Sequence, residues 1–167
     1  MVKVHPDLPS LPLRERAWQW LQHYGVKVVV KNPNSTWGGG LWWPDKKLVE
    51  LDTAQEEAAI HELAHAWWEE RRKDPKVRTT FSAMIKRLSE EKDPRYKRAQ
   101  ELAYVYEHGD PRTGFKGMWL FDDKGNVTSC IDWEQYAGMA SGVMGNPKLL
   151  PDYIRGFYSE LFEMDED

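Results

Sequence analysis

The stretch from Thr53 to Arg72 runs for twenty residues without a glycine or proline, and it constrains the fold more than any other part of the chain. Thr53 and Glu56 stand at capping-box spacing, where each side chain satisfies a backbone amide at a helix start. Ile60, Leu63 and Trp67 recur at helical intervals, which predicts a helix to about Arg72 with that face buried. His61 and His65 would then face a cleft.

The flanking segments read differently. A helix is expected from about Leu13 to Tyr24, with Pro12 before its first turn and Gly25 just past its end. Val26–Val30, Thr36–Trp43 and Lys47–Leu51 read as strands, because β-branched and aromatic residues suit a pleated surface and turn residues separate the runs. After the central helix, further helices are expected near Thr80–Glu91, Arg95–His108 and Ile131–Met144, with a last one following Pro151. A turn-rich stretch with a short hairpin is expected over Gly109–Gly125. One helix, three strands and then mainly helices is an α+β order.

At 167 residues the chain fits one domain with a real core. Hydrophobic residues make up 41% and charged residues 30%, which argues against disorder. No apolar run approaches the roughly 20 residues that span a bilayer. Pro6, Asp7, Pro9 and Pro12 interrupt any signal-peptide pattern near Met1. Cys130 is the single cysteine, so neither an internal disulfide nor a cysteine metal cluster can form. Together these lines lead us to expect a cytoplasmic domain that neither spans nor binds a membrane.

Within the central helix lies His61-Glu62-Leu63-Ala64-His65, an H-E-x-x-H sequence. Four residues separate the imidazoles by about 6 Å along the axis and about 40° around it. Both can therefore reach one ion at the roughly 2.0–2.1 Å of a zinc–nitrogen bond. Glu62 lies beside them around the helix, placed to take a proton from a metal-bound water as it attacks a carbonyl. A catalytic zinc takes three protein ligands and leaves a fourth position for water. Glu57 and Glu69 lie about 12 Å along the axis from the far histidine, too distant to converge.

The third ligand should therefore come from elsewhere, and Glu134 is the first choice. From it Ala137, Gly138 and Ser141 continue along one helix face, and small residues there permit close packing against Ala58, His61 and His65. Asp132 could serve instead, or could orient a ligand histidine from behind it. His108, at an expected helix end, is a further candidate, either as ligand or as hydrogen-bond donor to a developing oxyanion. Tyr104, Tyr106, Arg112, Tyr153 and Tyr158 compete for that oxyanion role.

Two other features bear on partners. Gly38-Gly39-Gly40 in the Trp-rich second strand permit close approach of another backbone. An edge strand there could hold an extended peptide substrate through main-chain hydrogen bonds; equally, the segment could be a bulge whose tryptophans belong to the core. Residues 71–98 carry eleven Lys or Arg against four Asp or Glu in a chain of net charge −4. Such a block can contact nucleic acid or an acidic protein, or can be the solvated face of two helices.

Ala58–His65 resembles the active-site helix of the zincin metallopeptidases. Glu134-Gln135-Tyr136-Ala137, followed by Ala140, Val143, Met144 and Pro147, is similar to the glutamate-bearing helix of the ImmA/IrrE group. That resemblance spans 24–72 and 131–147, leaving residues 73–128 as an insertion that holds the basic helix pair. It implies one Zn2+ per chain, bound by His61, His65 and Glu134 in the gluzincin manner, with Glu62 as general base of a metallo-endopeptidase. It also implies a twisted sheet ahead of the active-site helix. His61–Trp67 resembles the SprT-like proteases as well, and His108-Gly109 stands where those proteins place a further histidine. That second resemblance implies His108 as third ligand and a DNA-associated substrate. A non-catalytic zincin fold that binds nucleic acid or a protein partner through 71–98 is the third expectation.

Overall fold

The computed structural model describes residues 1–35, 38–108 and 131–164, with 106–108 described by backbone alone. Helix α1 (Glu15–Tyr24) is followed by strands β1 (Lys27–Val30), β2 (Gly40–Trp43) and β3 (Leu48–Leu51), and then by helices α2 (Glu56–Arg71), α3 (Pro75–Ser89), α4 (Lys97–His108), α5 (Ile131–Val143) and the single turn α6 (Asp152–Arg155). The chain is thus α+β, as its element order predicts.

Gly25 ends α1 at φ 106°, a left-handed conformation that glycine adopts without steric cost. Its amide caps α1 by donating to the carbonyls of Leu21 and Gln22, and the amide of Val26 also donates to Leu21. The sheet has the order β1-β3-β2, with β1 parallel and β2 antiparallel to β3. Leu51 pairs with Val30 on one side and Gly40 on the other, and Val49 with Val28 and Trp42. These residues form the inward face, with Val49 and Leu51 fully buried. Leu41, Trp43 and Val29 point the other way and are exposed, as the two-residue period of a strand requires.

Helix α2 departs from the one-sided helix expected of it. It packs on the sheet through β2 and β3 and on α5 as well, so Ala59, Ile60, Glu62, Leu63, Ala64, His65, Ala66, Trp67 and Trp68 are all buried. Each fully buried Ile or Leu there contributes about 1.5–3 kcal/mol. The predicted capping box does not form: Gln55 is the N-cap, without a side-chain cap bond. Thr53 is buried, and its hydroxyl has no hydrogen-bond partner among the described residues.

Helix α3 starts five residues earlier than its apolar stripe suggested. Asp74 caps it by accepting from the amide of Lys76, and Pro75 takes the first helical position, where proline's missing N–H costs nothing. Phe81, Ile85 and Leu88 of α3 and Ala99 and Ala103 of α4 join the same core as α2 and α5. The basic segment is therefore woven into the core rather than appended to it. The isolated pairing Leu13↔Phe162 joins the start of α1 to the C-terminal segment. Strand β2 begins only at Gly40; Thr36 and Trp37, together with the hairpin expected over Gly109–Gly125, lie outside the described residues. No described helix is long and apolar enough to cross a membrane.

Candidate metal centre

Three contacts bring His61, His65 and Glu134 together on one stripe of α2. His61 and His65 stand one turn apart, and their rings meet edge to face with centroids 4.8 Å apart. Nε2 of His61 lies 3.3 Å from Oε2 of Glu134, and Nε2 of His65 lies 3.0 Å from Oε1. The carboxylate comes from the first turn of α5, where an acidic side chain also meets the positive end of the helix dipole. Burial would raise the pKa of Glu134, but hydrogen bonds from His61 and His65 outweigh it and hold the carboxyl well below the usual range.

Two nitrogens and one carboxylate form a donor set that suits zinc. Their ligand atoms all lie within 4.8 Å of one another. Three atoms bound tetrahedrally to one zinc ion stand roughly 3.3 Å apart, so the widest separation must close by at most about 1.5 Å. The residues present fit the group. The second nitrogen of His65, Nδ1, is buried without a hydrogen-bond partner among the described residues. A ligand imidazole usually donates there to an oxygen; His65 is instead held by packing, edge-on to Trp133 at 5.3 Å and against His61.

Glu62 sits beside the pair and is 7% exposed. Burial pushes its carboxyl pKa up, and the Glu134 charge adds to the rise; His65 and His61 partly offset it. A raised carboxyl is a better proton acceptor than an exposed glutamate. Its Cγ lies against Gly40 at the start of β2, where a Cβ would come within 3.0 Å of it. The general-base candidate is thus in contact with the edge strand of the sheet. Gly38 has φ 128° and approaches Asp52 closely, whereas Gly39 faces open space.

The remaining candidates fall elsewhere. Asp132 does not reach for a histidine: Oδ2 accepts from the Trp68 indole N–H at 2.8 Å and from Arg72 Nε at 3.1 Å, and Oδ1 accepts from Arg72 Nη2 at 3.1 Å. Sequence reasoning gave no role to Trp68 or Arg72, although their positions three and seven residues beyond His65 place them on its helix face. Tyr158 is buried and donates to the carbonyl of Tyr136, and Tyr153 donates to Glu91, so both hydroxyls serve the fold. Tyr104 is exposed. The side chains of Tyr106 and His108, and all of Arg112, lie outside the described residues.

Within 71–98, several cations have intramolecular partners. Arg71 stacks on Trp67 and Trp20, Arg72 pairs with Asp132 and Lys73 with Glu70. Arg87 covers Tyr153 and Arg95 pairs with Asp93. Lys76, Lys86, Lys92 and Lys97 are exposed. Compared with known proteins, the chain matches no family model, no curated protein and no solved structure.

Proposed function

We propose that the chain is a single-domain, zincin-like metallo-endopeptidase of the ImmA/IrrE kind that holds one Zn2+ and cleaves protein or peptide substrates. The observation that carries this reading is the meeting of the Glu134 carboxylate with the Nε2 atoms of His61 and His65. An H-E-x-x-H helix alone supplies two ligands, and a third of the right chemistry, from a distant helix, completes the set that a catalytic zinc needs.

His61, His65 and Glu134 would hold the ion. Bound zinc supplies Lewis acidity toward the scissile carbonyl and lowers the pKa of water from 15.7 to about 7. Glu62, on the adjoining flank of α2, accepts the proton of the attacking water at its carboxylate and returns it to the leaving amine, a role worth roughly 10²–10⁴ in rate. Strand β2 is an edge of the sheet and touches Glu62 at Gly40. An extended substrate adding to that edge would bring its backbone alongside the base.

The test is zinc analysis of protein purified without a metal-affinity tag, followed by cleavage of fluorescently labelled casein by wild type and Glu62→Gln. About one zinc per chain is expected in both proteins, with cleavage only in wild type. Full cleavage by Glu62→Gln would end the proton-transfer role. Absence of zinc after dialysis against added zinc would end the metal reading.

A further inference from the structure

The stripe on α2 does not stop at the histidines. His61, His65, Trp68 and Arg72 follow at steps of four, three and four residues, which keeps them on one helix face. The first two meet Glu134, and the last two meet Asp132. Asp132 and Glu134 are two residues apart on α5, hence about 200° apart around its axis. The first turn of α5 is therefore gripped by α2 on two opposite flanks.

Between the two acids, Trp133 packs edge-on to His65 at 5.3 Å and lies under the Arg72 guanidinium, on the same side as the grip itself. The buried apolar residues of α5 begin only at Tyr136, whose ring stacks on Trp68 at 4.3 Å. The polar anchors ahead of Tyr136 are Asp132, and Gln135 donating to the carbonyl of Ala103. Asp132 is 6% exposed, and its two oxygens take three N–H groups. Two of these come from the planar fork of Arg72, which fixes orientation as well as distance. A helix end held at one point can still roll about its axis, whereas one held on both flanks cannot.

We propose that Asp132 is a positioning residue for Glu134: by gripping Trp68 and Arg72 it sets the roll of the first turn of α5, and so delivers the Glu134 carboxylate to the histidine pair. This rests on the metal reading above. It gives Asp132, Arg72 and the Trp68 indole N–H a shared task in metal binding without placing any of them on the ion. Outer partners of this kind typically cost 10- to 100-fold in metal affinity when removed.

The experiment is a Co2+ titration against a competing chelator, read by affinity and by the visible absorption of four-coordinate Co2+. Wild type, Asp132→Asn and Trp68→Phe are compared, each with and without Glu134→Ala, and thermal unfolding of the metal-free proteins is followed in parallel. Asp132→Asn keeps the side chain's size and an oxygen for Trp68, and Trp68→Phe keeps the aromatic stack, so both variants should fold. Asp132→Asn should weaken Co2+ binding roughly 10- to 100-fold and dim the visible band. In the Glu134→Ala background the same change should alter affinity less than about twofold, because its effect passes through Glu134. Undiminished loss in that background, or wild-type affinity in Asp132→Asn, would overturn the positioning role while leaving the metal centre standing. Wild-type protein that binds no Co2+ would overturn both.

Discussion

Alanine at Gly40 would place a methyl group 2.7 Å from Cδ2 of Leu51, 3.0 Å from Cγ of Glu62 and 3.2 Å from the carbonyl oxygen of Glu50. None of the three can easily withdraw. Leu51 is fully buried, Glu62 nearly so, and the Glu50 oxygen belongs to the backbone of the neighbouring strand. Overpacking of this kind costs about 1–3 kcal/mol. At about 2–4 °C per kcal/mol for a chain of this size, Gly40→Ala should melt about 2–12 °C below wild type. Gly39 provides the control, since a Cβ there meets nothing within 4 Å. Gly39→Ala should be neutral, or stabilising by about 0.4–1 kcal/mol through the unfolded chain. The two proteins differ by one methyl group on adjacent residues, so thermal unfolding followed by circular dichroism compares them directly. Because the new methyl presses on the Glu62 side chain, casein cleavage by Gly40→Ala should fall more than its zinc content. Equal melting temperatures for the two variants would refute the packing argument that joins the edge strand to the base.

Glu134→Ala should bind zinc more weakly through the two remaining histidines, and the zinc retained per chain after dialysis should fall well below that of wild type. The Tyr24 hydroxyl donates to Glu70 at 2.7 Å; burial first, and then this bond, push its pKa up from 10.0 to about 12. Stability gained from protonated Tyr24 is therefore present below about pH 10 and is lost as pH rises through the folded value near 12. An ultraviolet phenolate titration of wild type against Tyr24→Phe should show the missing step at that high pH; a step at the ordinary tyrosine value would refute it. Duplex DNA binding through the exposed lysines of 71–98 would fall steeply with salt. Absence of binding even at low salt would remove the DNA-associated reading and leave these residues as a solvated face.

The parts legible in the sequence were those whose causes lie within a few residues of one another. The helix through His61 and His65 follows from a run free of glycine and proline, the end of α1 from Gly25, and the three strands from β-branched or aromatic runs between turns. The start of α3 is equally local, but its signal lies in Asp74-Pro75 rather than in the apolar stripe from Phe81 to Leu88. The capping box failed for the opposite reason: Thr53 and Glu56 have the right spacing, yet Thr53 is buried and the helix starts after Gln55 instead.

From the sequence alone come the paired imidazoles, the neighbouring Glu62 and a short list of distant carboxylates, because helical spacing fixes which side chains share a face. Only the tertiary structure decides that Glu134 meets the histidines while Asp132, two residues before it, turns to Trp68 and Arg72. Helical periodicity describes a helix about its own axis, and it says nothing of how that helix is rolled against another. The roll of α5 on α2 is set by the stack of Tyr136 on Trp68 and the grip of Arg72 on Asp132, contacts between residues some sixty positions apart, as with the 60 between Arg72 and Asp132.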